Sequence, residues 1–140
     1  MSHHLHKVKA FSLTVEDRPG SLAKVKRDLK ASDVNLRALW AWGEDEGQAT
    51  VMFVPEDPAK VERCSCETCC EAQAEMVMWV EQEDYLGSLD EVLQPLEEAE
   101  ISIDAVQVVA LGDKFAGVFM FADEETLDQA IEASGGACCD

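Results

Sequence analysis

Two groups of residues in this chain have the types and spacing to do chemistry. The first is Asp17-Arg18-Pro19-Gly20-Ser21-Leu22, between an alternating apolar stretch and a stretch of helical period. Pro19 pre-sets φ and stiffens the turn, and Gly20 permits close backbone approach. A helix starting here, with Ser21 as its expected N-cap, presents N–H groups and roughly half a positive charge, which suits a carboxylate. The second group is cysteine-rich: Cys64, Cys66, Cys69 and Cys70 form C-x-C-x-x-C-C, and Cys138-Cys139 close the sequence. Thiolates at such spacing suit Zn²⁺, Cu(I) or an iron–sulfur cluster, although zinc ribbons use two separated pairs. Cys66, Cys69, Cys138 and Cys139 read as the accessible thiols and the metal candidates. Cys64 stands at an apolar helix position and reads as a buried small side chain. His3, His4 and His6 lie in an N-terminal arm, where casual metal affinity is all that is expected. No nucleophile–base pair, phosphate loop or paired carboxylates stand out, so neither enzyme activity nor a cofactor is expected.

Those residues need elements to position them. The chain has 140 residues, 47% of them apolar, which is enough for a core. Its formal net charge of −18 opposes nucleic acid and anionic membrane surfaces as partners. No apolar run approaches the roughly 20 residues of a membrane span, and no signal-peptide pattern opens the sequence, so a cytoplasmic location is expected. The charge is uneven: residues 1–74 carry 10 bases and 12 acids, whereas residues 75–140 carry Lys114 against 17 acids.

A repeat at an offset of 67 residues, read without a gap, explains the division. Asp17 to Leu22 falls on Asp84-Tyr85-Leu86-Gly87-Ser88-Leu89, Val25 on Val92, Leu29 on Leu96, and Val51 on Val118. In each unit an alternating strand leads through the turn to an amphipathic helix, then to two strands joined by a hairpin, then to a second helix. A fourth strand of unit one fits before Met76. Pro95 lies inside the predicted helix Leu89–Glu98 and is expected to kink or distort it. The expected architecture is α+β: two ferredoxin-like βαββαβ units, their antiparallel sheets side by side with helices on one face. The boundaries are a flexible arm at 1–7, a first unit at 8–74, a second at 75–137 and a tail at 138–140. Trp40 and Trp42 share one strand face and read as core or interface aromatics. Trp79 reads as lying on an open sheet face, available for oligomerisation.

Two such units, with Asp-Arg-Pro-Gly-Ser-Leu at the first strand–helix turn and Val34-Asn35-Leu36 beginning strand two, resemble a tandem ACT-domain protein from about Lys7 to about Ser134. The resemblance implies a regulatory protein that holds an amino acid or similar metabolite at this turn, at a domain interface. Asp17, Arg18, Pro19, Gly20, Ser21, Leu22 and Asn35 are then the expected ligand residues. Asp84, Gly87, Ser88 and Leu89 would form a weaker second site, because Arg18, Pro19 and Asn35 become Tyr85, Leu86 and Ser102. Cys70 falls where the family begins its fourth strand with a buried apolar residue. ACT pairs join edge to edge, so the basic helix bearing Lys24, Lys26, Arg27 and Lys30 and the acidic one bearing Asp90, Glu91, Glu97 and Glu98 would select their pairing. A homodimer and a regulated target enzyme are the expected partners. A thiol-rich metal- or redox-responsive protein on the same scaffold, and an adaptor whose acidic unit binds a basic protein, remain the other readings.

Overall fold

The computed structural model describes residues 4–135. The elements are β1 (His4–Glu16), α1 (Ser21–Ala31), β2 (Leu36–Gly43), β3 (Gln48–Pro55), α2 (Pro58–Arg63), α3 (Glu67–Glu71), β4 (Gln73–Glu83), α4 (Asp90–Glu98), β5 (Ala105–Leu111), β6 (Lys114–Met120) and α5 (Glu124–Ala133). The architecture is α+β, with antiparallel strands in the ferredoxin-like arrangement. The chain divides into two compact units, one spanning Lys9–Glu75 and the other formed by the residues up to Val8 together with those from Met76 onward.

In the first unit the strands run in the order β2-β3-β1. Phe11 pairs with Phe53 and Leu13 with Val51, so alternate residues of both strands share a face. Val25 and Leu29 of α1 and Val61 of α2 pack onto that face. The two phenyl rings stack with centroids 5.7 Å apart. Helix α1 ends with Asp33 in the left-handed region at φ 62°. There the Val34 N–H donates to the Leu29 carbonyl at 2.9 Å, closing the last turn as a Schellman motif does.

The second unit repeats this plan. Strand β6 lies between β4 and β5, and Met78, Val80, Phe115 and Phe119 meet Val92, Leu96, Leu127 and Ile131 from the helices. Helix α4 also ends on a left-handed residue, Glu100 at φ 57°, with the Ile101 N–H donating to the Leu96 carbonyl. Pro95 sits within α4, whose first turn is the distorted part. Val92 N donates to Leu89 O, an i→i−3 bond, and the helix begins only at Asp90.

Several expectations are corrected. The repeat needs one gap. Phe53 pairs with Phe11, but Phe119, 66 residues later, pairs with Met78. The second hairpin is one residue shorter, so the helix caps match as Asp57 and Asp123 and the buried residues as Val61 and Leu127. Residues 4–7 are not an arm: they begin β1, and Leu5 is buried in the second core because it continues the alternation of Phe11 and Leu13. No separate fourth strand precedes Met76 in the first unit. Helix α3 occupies that stretch, and Gln73–Glu75 already belong to β4. Trp79 does not lie on an open face. It is 5% exposed, Val77 and Val118 on the same side are buried too, and its indole N–H donates to Glu81 at 3.0 Å. Trp42, by contrast, is 41% exposed and donates to Glu44, so it is no core aromatic in this chain.

Glu100 occupies a backbone conformation that costs a side-chain-bearing residue about 1–2 kcal/mol. Glu100→Gly is therefore expected to raise stability by about 1 kcal/mol, and Leu29→Ala to lower it by about 3 kcal/mol. Urea unfolding followed by circular dichroism reads both. An unchanged midpoint for Leu29→Ala would contradict the packing described.

Candidate functional site

The turn from β1 into α1 is held from the hairpin side. The Asp17 N–H donates to the Gly47 carbonyl at 2.9 Å, and the Asp17 carboxylate lies against Gly43, where an added Cβ would stand 3.3 Å from Oδ2. The Arg18 Nε pairs with Glu16 at 3.2 Å, and both side chains are 70% exposed. Pro19 leads into Gly20, which adopts φ 93° and is itself the N-cap, in place of the expected Ser21. Only glycine enters that region without steric cost, and glycine brings no side chain to cap the N–H groups. The first turn of α1 accordingly has no side-chain cap and no acidic residue.

Ser21 and Leu22 open the helix, and Leu22 is 41% exposed although it lies on the apolar stripe. It borders an open groove of about 600 Å³ lined by Leu22, Ala23, Lys26, Leu36, Arg37, Ala38 and Leu39. Strand β2 supplies one wall, and a bulge between Leu36 and Ala38 sets the position of Arg37 there. The groove thus combines an apolar lining with two cationic side chains. Apart from Leu22, its residues were not expected from the sequence. The available signals were an apolar helix residue ahead of the buried Val25 and the Leu-Arg-Ala-Leu start of an edge strand.

Asn35 is not brought to the turn. It follows the C-terminus of α1, an 11-residue helix of roughly 16 Å, so it lies at the helix's far end, where its carbonyl accepts from Glu56 N at 2.9 Å.

The second turn keeps the backbone but changes the side chains. Gly87 has φ 91°. The Ser88 hydroxyl accepts from the Tyr85 N–H at 3.3 Å, and its carbonyl accepts from the buried Gln82 amide at 2.9 Å. Leu89 is the N-cap, and Asp90 and Glu91 occupy the first turn of α4. The Tyr85 hydroxyl donates to Glu91, and this bond first, with desolvation after it, pushes the phenol up to about 12. Asp84 donates its N–H to Asp113 O at 2.8 Å. The two acidic residues complement the helix dipole from within the chain, unlike the first turn of α1, which has no acidic residue.

The cysteines form a separate locus in the first unit. The sulfurs of Cys64, Cys66 and Cys69 all lie within 4.8 Å of one another. Cys64 caps the end of α2 and Cys66 caps the start of α3, a helix the sequence reading missed. The Cys66 N–H donates to Cys64 Sγ at 3.3 Å, and the Cys69 N–H to Cys66 Sγ at 3.4 Å. The burial is the reverse of that expected at Cys69 and Cys70. Cys69 is buried, Cys64 and Cys66 are partly buried, and Cys70 is exposed because it lies in α3 and not at the start of a strand. Cys138 and Cys139 lie outside the described residues. Burial raises the Cys64 thiol, but hydrogen bonds with Cys69, Ser32 and Cys66 outweigh it and bring the thiol down to about 7. Burial pushes Cys69 up, reinforced by its two sulfur neighbours.

No protein-family model matches the chain, and no curated protein matches it. Solved structures do. The chain is similar to protein BT0572 from Bacteroides thetaiotaomicron, with a TM-score of 0.74 and 18% identity over 90% of this chain and 87% of that one. It is similar to the regulatory subunit of aspartate kinase from Thermus thermophilus, in ligand-free form, with a TM-score of 0.60 and 12% identity over 94% and 93% of the two chains. The corresponding regulatory subunit from Thermus flavus gives 0.58 and 14% over 95% and 93%. At these identities the similarity concerns the fold, which is ACT-like. No helix among the described residues is long and apolar enough to cross a membrane.

Alkylation followed by mass spectrometry tests the thiol arrangement. Cys70 should label first and Cys69 last, and labelling of Cys64 should rise through about pH 7, since the thiolate is the nucleophile. Equal rates at Cys69 and Cys70 would contradict the burial pattern.

Proposed function

We propose that this chain is a regulatory, non-catalytic protein that binds a small carboxylate metabolite, an amino acid, at the first turn of α1. The observation that carries this reading is the glycine cap at Gly20, which leaves α1 without a side-chain cap directly beside the groove that begins at Leu22. The N–H groups there suit the carboxylate, and the apolar lining suits an aliphatic portion. The fold supports the same reading, since the aspartate kinase structures that it resembles are regulatory subunits. Lys26 and Arg37 line the groove and favour an anionic ligand. Asn35 is not among the groove-lining residues, although its neighbour Leu36 is, so the ligand set is the turn and the groove without it. Regulation follows from binding by population shift, whatever target enzyme or second copy of the chain reads the change.

A thermal-shift screen of the full chain against the twenty amino acids tests this. A true ligand at 100 times its Kd adds about 2.7 kcal/mol of stability. Leu22→Glu places a carboxylate at the helix start, where it suits the helix dipole but repels an anion. That variant should remain folded and lose the shift. A flat screen with the unaltered chain, or an undiminished shift in Leu22→Glu, overturns the site.

A further inference from the structure

The cysteine trio lies outside the binding chemistry proposed for the turn, and it has the features of a site in its own right. We propose that Cys64, Cys66 and Cys69 hold one soft monovalent d10 metal ion of the Cu(I) class through three sulfurs. Thiolates select soft ions over hard ones. At a metal–sulfur distance of roughly 2.3 Å, as in zinc thiolates, three sulfurs around one ion stand roughly 4 Å apart. The trio is close enough for that spacing: Cys64 Sγ and Cys66 Sγ are 3.1 Å apart, and all three sulfurs fall within 4.8 Å of one another.

The number of ligands decides which ion fits. Among the described residues the cluster contains three cysteines and no histidine or carboxylate. A structural zinc site closes with four protein ligands, which this set does not supply. Three sulfurs with no fourth ligand among the described residues suit a low-coordinate soft ion.

Two of the three sulfurs already have polar partners. Two backbone N–H groups already donate to Cys64 Sγ and Cys66 Sγ, and the Ser32 hydroxyl shares a 3.0 Å hydrogen bond with Cys64 Sγ. On one side the trio packs into the apolar core with Cys69. On the other it opens to a cavity of about 480 Å³ lined by Lys60 and Arg63 as well as Ser32 and Asp33. Three thiolates on a monovalent ion carry a surplus of negative charge; Arg63 lines the cavity beside them, whereas Lys60 is already paired there with Asp33 at 2.8 Å. Binding releases the thiol protons to solvent and leaves the oxidation state of sulfur unchanged.

The test is anaerobic titration of the reduced full chain with Cu(I), in competition with a chromophoric Cu(I) chelator and followed by the sulfur-to-copper ultraviolet absorption. A Cys138→Ser/Cys139→Ser background removes the two terminal thiols, and one equivalent should still bind. Adding Cys64→Ser should weaken binding by more than about 100-fold, beyond the 10–100-fold that loss of a partner outside the ligand set costs. Cys70→Ser should bind as the background does. Circular dichroism shows whether Cys64→Ser keeps its fold, and blocking the thiols of the background protein with iodoacetamide provides a second route to the same loss. Failure to compete with the chelator, retention of full affinity in Cys64→Ser, or preference for Zn²⁺ over Cu(I) at the trio would each overturn the proposal.

Discussion

A chain leaving β1 at Glu16 must turn back over the sheet before Ser21, and it does so with Gly20 at φ 93°. That left-handed step aims α1 so that Val25 and Leu29 meet Phe11 and Phe53, and the remainder of the first unit follows from it. The same step forbids an ordinary cap, because a residue that enters the left-handed region cheaply has no side chain to offer. The uncapped helix start is thus a consequence of placing the core, and the groove beside Leu22 is what remains between α1 and β2 once the stripe has turned inward. Fixing α1 also fixes α3. The Thr68 hydroxyl donates to Asp28 at 2.8 Å, and Lys24 bridges Asp28 and Glu67.

The two units share this geometry and diverge in chemistry. Left-handed residues recur at Gly20 and Gly87 and again at Asp33 and Glu100, so both helices are entered and left in the same way. The side chains differ. At the second turn Ser88 is tied to Tyr85, and Asp90 and Glu91 complement the helix dipole from within the chain. Neither helix has a side-chain cap, and the two starts differ in charge: α4 has acidic residues in its first turn and α1 has none. Backbone constraint fixes the fold in both units, while the residues at the helix start set its charge.

Element order and core were legible because period-two and helical patterns report which face is buried, and Phe11, Leu13, Val25, Leu29, Met78, Val92 and Leu96 all lie on the expected faces. The missed features have physical reasons. The repeat hid its gap because Val118 falls on an apolar residue, Val51 or Met52, in either alignment, and only strand pairing shows that Phe53 corresponds to Phe119. Helix α3 escaped because it is five residues long and its cap is a cysteine, whose sulfur accepts from Cys69 N in place of an oxygen. Leu5 escaped because histidines flank it and disguise an alternation that begins before Phe11. The turn into α1 was legible from Pro19-Gly20, but the groove was not, since Arg37 lies at a bulge in the edge strand.

The turn opens α1 and the elements carrying the cysteine trio pack against the same helix, and the charges on α1 keep the two loci distinct. Lys26 faces the groove, whereas Lys24 and Asp28 face α3. The Thr68 hydrogen bond, followed by the one from Lys24, holds the Asp28 carboxyl below its usual range. A carboxyl depressed in the folded chain stabilises the fold above its unfolded value and loses that contribution as pH falls through the depressed one. Acid therefore loosens the attachment of α3 before it disturbs the apolar packing of Val25 and Leu29. Since α3 carries Cys66 as its cap and Cys69 within it, the trio depends on this polar contact for its spacing. The helix start depends on Gly20 and the core, so the two loci rest on different interactions of the same helix and can be lost separately.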